Sequence, residues 1–180
     1  RRQRQMCIRD SRSGSAYLFD TETGAEIVKL TASDATASDW YGSSVAIDGN
    51  RAIIGAQYHG PTPTGPGAVF VVEIPSGNEL RCISLPDGVG GDEFGYDVDL
   101  DGTTALIGAR SRNGTGAAYL YDIETGSLLH ELVRPDPQEN DRFGLSVSLS
   151  GPWAVVGAPE ANTLCPKDPC LLYTSDAADE

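Results

Sequence analysis

The run of acidic residues at 97–102 is the part of the sequence that most resembles a metal site. It has the pattern D-x-D-x-D-G, which opens many Ca²⁺-binding loops. Its aspartates, Asp97, Asp99 and Asp101, alternate with apolar residues, and this alternation predicts a strand whose carboxylates leave from one face. No acidic residue follows at the position that would close such a loop. We therefore expect a structural hairpin without bound metal, and calcium binding is the alternative.

The remaining reactive side chains do not form a catalytic pattern. His59 and His130 lie in different contexts, and neither has a repeated or neighbouring nucleophile. The sequence contains no nucleophile elbow, phosphate loop or dinucleotide fingerprint, and its four cysteines lack zinc-site spacing. We expect no catalytic residue and no cofactor.

Three further aspartates, Asp39, Asp92 and Asp141, each stand two residues before an aromatic-glycine pair. A carboxylate at such a position usually accepts hydrogen bonds from backbone N–H groups in a turn. We expect this structural role, and metal ligation is the alternative.

The overall charge limits the classes of partner. The 180 residues include 26 acidic and 13 basic side chains, which gives a formal net charge of −13. Such a charge disfavours nucleic acids and anionic membrane surfaces as partners. No apolar run approaches the roughly 20 residues of a membrane-spanning helix, so we expect no direct insertion into a membrane.

The elements that position these residues are set by an internal repeat. Three segments align, at 14–55, 67–108 and 116–157, and the steps between them are 53 and 49 residues. Of the 21 glycines, 15 fall at five repeated positions within these segments. Glycine is placed where φ must be positive or where backbones approach closely. The chain therefore divides into a flank at 1–13, a repeat region at 14–160, and a loop with a tail at 161–180.

Each repeat predicts four short strands. In the first repeat these are 16–20, 26–30, 44–48 and 51–55, separated by glycine-containing turns. No segment has convincing helical periodicity. Four antiparallel strands in each unit of about 50 residues are typical of a propeller blade, so the fold class is all-β, a partial β-propeller in an open arc.

The repeated motif resembles the FG-GAP repeats of integrin α-chain propellers. Its aromatic-glycine pairs and its later glycines are Tyr41-Gly42 with Gly55, Phe94-Gly95 with Gly108, and Phe143-Gly144 with Gly157. The resemblance implies a propeller of about seven blades that serves adhesion or ligand recognition outside the cell or at its surface. It also implies that the aromatic-glycine strand is innermost. Residues 42–85 and 95–133 would then be full blades, flanked by halves at 14–30 and 144–157, with Phe94 and Phe143 between blades and Tyr41 less completely buried.

The loops at one end of these blades are the longer and more variable ones. Recognition tends to occur on such loops, because a rigid scaffold presents them. The candidate ligand-binding residues at this end are Tyr58, His59, Arg110 and Arg112, and the expected ligand is a protein or a glycan. Asn113 begins an N-x-T sequon in the same region and is a candidate glycosylation site.

An enzymatic alternative comes from a second resemblance. The runs Y-L-F-D-T-E-T-G and Y-L-Y-D-I-E-T-G are similar to the blade motif of quinoprotein dehydrogenase propellers. Those blades usually carry a tryptophan that docks the motif, whereas Trp40 and Trp153 occupy unmatched repeat positions. We therefore favour the binding module and keep a quinoprotein-dehydrogenase-like fragment as the alternative.

The two ends differ from the repeats in composition. Residues 2–11 and 170–180 resemble translated sequencing-adapter sequence. We expect the remaining blades of a full-length chain, and any signal peptide, to lie outside this sequence. We also expect a two-blade array with uncovered ends to associate in isolation.

Overall fold

The computed structural model describes residues 12–161, and this part of the chain is built from short strands. It contains twelve strands and a single turn of 3₁₀ helix at Arg112–Gly114. The strands are β1 Ala16–Phe19, β2 Glu26–Leu30, β3 Tyr41–Asp48, β4 Arg51–Ala56, β5 Ala68–Glu73, β6 Glu79–Ile83, β7 Phe94–Asp101, β8 Thr104–Ala109, β9 Ala117–Asp122, β10 Ser127–Leu132, β11 Ser146–Ser150 and β12 Trp153–Gly157. Within residues 12–161, no helix is long and apolar enough to span a membrane.

The strands form two complete blades and two incomplete ones. Strands β3 to β6 make one four-stranded antiparallel meander, and β7 to β10 make the next. The pair β1–β2 precedes them and the pair β11–β12 follows them, each as a two-stranded sheet. The all-β partial propeller is thereby confirmed, with blade boundaries offset from the sequence repeat. The adapter-like ends lie outside the described residues.

The interior strands of each blade carry the core because both of their faces are covered. β4 and β5 are buried along nearly their whole length, as are the equivalent β8 and β9. These strands have continuous runs of apolar residues, as expected for a strand packed on two sides. One apolar cluster joins the first full blade to the second, and another joins β1–β2 to the first full blade.

The repeated aromatic residue enters this core, with one difference from expectation. Phe94 is fully buried, and its ring lies against those of Tyr119 and Tyr121. Tyr41 is only 3% exposed, and its ring packs on Phe70. Phe143 is half-buried. The expectation that Tyr41 is less completely buried than Phe143 was therefore wrong. Phe143 belongs to the blade that has only its two inner strands in the described region, so fewer neighbours cover it.

A glycine at each blade boundary makes a close backbone contact. Gly67 forms an isolated parallel bridge with Phe94, and the Phe94 N–H donates to the carbonyl of Pro66 at 2.9 Å. Gly67 has a φ of 94°, and a Cβ atom there would collide with the Phe94 carbonyl. Glycine is required for both reasons. The bridge fixes the start of the innermost strand of one blade beside the preceding blade.

Candidate functional site

The long-loop end of the blades is the end at which the innermost strands begin. Its loops are residues 31–40, 57–67, 84–93, 110–116 and 133–145. The opposite end, here the short-turn end, carries tight turns such as Gly49-Asn50 and Gly102-Thr103. All four candidate ligand-binding residues belong to the long-loop end.

Buried aspartates organise the loops at this end. Asp39, Asp92 and Asp141 are each at most 2% exposed. Each accepts a hydrogen bond from the backbone N–H three residues earlier, at 2.6, 2.9 and 2.7 Å respectively. These bonds agree with the turn role expected from the sequence.

A basic side chain, arginine or histidine, completes each of these turns. Arg112 donates to Asp92 at 2.6 Å and to Asp87 at 2.6 Å. Arg134 makes the same kind of pair with Asp141 and Asp136. In the first repeat the partner is His59, whose Nδ1 lies 3.2 Å from Asp39 and whose Nε2 lies 3.5 Å from Asp34.

Two of the candidate ligand-binding residues, Arg112 and His59, belong to these aspartate-bound turns, here called clamps. Arg112 is only 8% exposed, and the hydrogen bond and charge of Asp92 raise its pKa despite the opposing effect of burial. The side chain of His59 is largely buried between two aspartates and against the ring of Phe70. Both residues hold loops in place and leave little surface for a ligand.

The other two candidates, Tyr58 and Arg110, meet at Glu93. Tyr58 donates its hydroxyl to Glu93 Oε1 at 2.9 Å, and Arg110 donates to both carboxylate oxygens at 2.5 and 3.2 Å. Ser111 donates a further hydrogen bond at 2.8 Å. The guanidinium carbon of Arg110 lies 3.9 Å from the ring centroid of Tyr96, a cation–π geometry. The cluster therefore joins the loops of two blades.

The charge state of Glu93 follows from these contacts. Burial alone would raise the pKa of Glu93, but the hydrogen bonds from Arg110, Ser111 and Tyr58 outweigh it and lower that pKa below its usual value. Burial and the bond to Glu93 raise the pKa of Tyr58. The cluster is therefore a carboxylate bound by a neutral phenol and a guanidinium at neutral pH.

An open pocket of about 500 Å³ lies at this end, close to the Glu93 cluster. Its lining residues come from the inner strands and the residues beside them: Trp40, Ser43, Gln57, Tyr96, Asp97 and Leu145. The indole of Trp40 is 42% exposed and meets the Tyr58 ring edge to face, with centroids 5.5 Å apart. Tyr96 is shared between the pocket and the Glu93 cluster. The pocket thus combines exposed aromatic surface with amide, hydroxyl and carboxylate groups.

Sequence reasoning missed Trp40, Glu93 and Tyr96. Trp40, Glu93 and Arg142 occupy the same repeat position, directly before the aromatic of the motif, and all three have a positive φ of 55–59°. A positive φ is uncommon for residues with a side chain and marks backbone held by its surroundings. The repeat alignment places Trp40, Glu93 and Arg142 at one position, but only the structure shows the positive φ that they share.

The aspartates of the calcium-like run lie on the innermost strand and bond across to the next blade. Asp97, Asp99 and Asp101 accept hydrogen bonds from the backbone N–H groups of Val147, Leu149 and Gly151, at 2.8, 2.7 and 2.5 Å. Each carboxylate thus has its own backbone partner, two on β11 and one, Gly151, in the turn that follows it. Among residues 12–161, no group of three or more acidic, histidine or cysteine side chains is arranged to hold a metal ion.

Two further residues have clear positions. Asn113 is exposed on the 3₁₀ turn, at the long-loop end. Trp153 is exposed at the short-turn end, whereas Trp40 lies at the long-loop end. The two tryptophans therefore do not occupy equivalent places in their blades.

Comparison with known proteins agrees with the repeat structure. A family model described as FG-GAP repeat matches residues 25–72, 79–121 and 128–168, which together are more than half of the chain. A search of curated proteins found no match. The three matches begin 11 or 12 residues after the three sequence repeats and have nearly the same spacing, and the described residues within them form antiparallel sheets. The chain belongs to the FG-GAP repeat family and forms part of a β-propeller.

Proposed function

We propose that this chain is a non-catalytic binding or adhesion module of the integrin α-chain kind, which recognises a protein or a glycan at its long-loop end. The observation that supports this most is the pocket beside Trp40 and Tyr96. It places exposed aromatic surface next to polar groups on a rigid scaffold, and such surfaces are typical of recognition sites.

The chemistry of the pocket suits either class of ligand. The Trp40 indole offers a flat apolar face, on which a sugar ring or the stem of a lysine or arginine side chain can stack. Asp97 and Gln57 supply acceptors and donors at the pocket wall. Large aromatic residues in such places contribute much of the affinity of many interfaces.

Several polar groups in the pocket and beside it are engaged in structural contacts. Asp97 accepts the N–H of Val147, and the Ser43 hydroxyl donates to the carbonyl of Gly55 at 3.3 Å. Glu93 is bound by three donors. Because these contacts fix the side chains in place, the side chains form a rigid surface. This favours binding over nucleophilic or acid–base chemistry.

An extracellular or cell-surface location fits the surface of the chain. The sequon residue Asn113 is exposed on a loop, where a glycan has room. The strong net negative charge favours solubility in a salty medium.

A binding screen tests this function. The purified chain would be applied to a glycan microarray and to a panel of immobilised secreted and cell-surface proteins. We expect saturable binding to one ligand class that is lost in Trp40→Ala and retained in Thr103→Ala, an exposed position at the short-turn end. Saturable binding that depends on Thr103 and not on Trp40 would contradict the proposed site.

A further inference from the structure

The two incomplete sheets among residues 12–161 correspond to complementary halves of one blade. A full blade has two inner and two outer strands, as in the order β3-β4-β5-β6. The pair β11–β12 corresponds to the inner strands, and the pair β1–β2 corresponds to the outer strands, because the repeat steps of 53 and 49 residues map each onto the full blades. Within residues 12–161, one edge of β12 and one edge of β1 have no partner strand.

Both edges also expose apolar side chains that a completed blade would cover. Val155 is 70% exposed, whereas the equivalent residues Ile53 and Leu106 are fully buried. Phe19 on β1 is likewise exposed, while its equivalent Val72 is buried. Free strand edges with exposed apolar residues favour strand addition by another chain.

We propose that a second copy of this chain completes the blade, with β12 of one copy pairing antiparallel with β1 of the other. The register follows from the two complete blades. Ile53 pairs with Val71 in the first, and Leu106 pairs with Leu120 in the second. Both pairs map onto Val155 of one copy and Leu18 of the other.

The same arrangement would cover the exposed face of β3. In the full blades the inner strand of one blade packs against the next, and Ser44 donates its hydroxyl to the Gly95 carbonyl at 2.8 Å. Ser146 of one copy is the equivalent of Ser44, and Gly42 of the other is the equivalent of Gly95. Val45 and Ile47, which are exposed, would then be buried as their equivalents Val98 and Leu100 are.

This contact is head to tail, because different surfaces of the two copies meet. Such contacts either close into a ring or continue as an open chain. A ring leaves no free edge, so closed assemblies should be the most stable. Further blades on a longer polypeptide would occupy the same edges, and the experiment therefore uses the 180-residue chain.

The first test measures mass in solution by size-exclusion chromatography with light scattering. We expect the chain to elute as a dimer or larger assembly that dissociates on dilution. Val155→Lys places a charge at the proposed contact and should give a monomer. Leu129→Lys, at an exposed position of β10 away from both edges, should leave the assembly unchanged. A monomeric parent chain, or a Val155→Lys variant that assembles like the parent, would overturn the proposal.

The second test reads the register directly. Two chains of different mass, with Cys7, Cys82, Cys165 and Cys170 changed to serine, would carry Leu18→Cys and Val155→Cys respectively. Directly paired strand residues have Cα atoms about 4.5–5.5 Å apart, within the range of a disulfide. We expect mild oxidation of the mixture to give the mixed disulfide as the main product. Disulfides only between like chains, or none, would contradict the register.

Discussion

The carboxylate of Asp99 accepts a hydrogen bond from the backbone N–H of Leu149 at 2.7 Å, across the boundary between two blades. Its other oxygen accepts the N–H of Leu100 at 2.9 Å. Asp97 and Asp101 make parallel contacts one step along the strand in either direction. The acidic run that resembles a calcium loop is thus a row of hydrogen-bond acceptors that links two blades through N–H groups of β11 and of the turn that follows it.

Removing the Asp99 carboxylate should lower the free energy of unfolding, because it removes a hydrogen bond between two blades. Asp99→Ala leaves the Leu149 N–H without its charged acceptor, and we expect a loss of about 1.5–3 kcal/mol in the free energy of unfolding. Ser148→Ala, at the equivalent position of β11, should change it by less than about 0.5 kcal/mol. Urea denaturation measures both. Calorimetric titration should show no Ca²⁺ binding. Micromolar Ca²⁺ binding that disappears in Asp99→Ala would contradict a purely structural role of Asp99.

The backbone contact between Gly67 and Phe94 gives a second prediction. Gly67→Ala adds a Cβ against the Phe94 carbonyl, whereas Gly102→Ala adds one in open space, and both glycines have positive φ. The conformational cost of about 1–2 kcal/mol is common to both. We expect Gly67→Ala to lose at least about 2 kcal/mol more than Gly102→Ala. Equal losses in thermal or urea unfolding would show that the blade boundary tolerates the added methyl group.

The buried clamp at Arg112 should be among the most sensitive positions of the surface loops. Arg112→Met leaves the carboxylate of Asp92 buried without its cation, and removal of one partner of a buried pair costs about 3–5 kcal/mol. Arg142→Met removes an exposed pair with Glu160 and should cost less than about 1 kcal/mol. Denaturation of the two variants side by side distinguishes a structural clamp from a surface residue. Similar stabilities would argue for a surface role of Arg112.

The Glu93 cluster predicts a pH dependence. The pKa of Glu93 is lower in the folded chain than its ordinary value, so the ionised carboxylate stabilises the fold. This contribution is fully present above the unfolded pKa of about 4.3 and is lost as the pH falls through the lower folded pKa. Glu93→Gln should therefore be less stable than the parent at pH 7, and the difference should shrink towards pH 3. A difference that stays constant between these pH values would show that the charge of Glu93 does not contribute.

The fold could be predicted because glycine and aromatic residues recur at fixed spacing. The repeated glycines, Gly42, Gly95 and Gly144 among them, indicated the repeat and its turns, and the resemblance to FG-GAP repeats implied the offset between repeat and blade. The cross-blade role of Asp99 could not be predicted, because its partner lies 50 residues away on another blade. The burial of Arg112 was also missed, although a signal was present: an aspartate stands five residues before each of Asp39, Asp92 and Asp141.

The candidate site was predictable only in outline. The longer loops lie at the same end of the blades as this pocket, and Tyr58 and Arg110 belong to the Glu93 cluster beside it. Their common partner Glu93 is not apparent from the sequence, because its side chain direction depends on a positive φ that other residues at this position share. Only the packed structure brings Trp40 and Tyr96 to one pocket.

We propose that ligand recognition occurs at the long-loop end, in the pocket of Trp40 and Tyr96. The most direct test measures, by biolayer interferometry, the affinity of the chain for the ligand that the binding screen identifies. The double variant Trp40→Ala/Tyr96→Ala should bind at least about tenfold more weakly, which corresponds to about 1.4 kcal/mol. Thr103→Ala, at the short-turn end, should bind like the parent. Unchanged affinity in a folded double variant, together with weakened binding in Thr103→Ala, would contradict ligand recognition at this pocket.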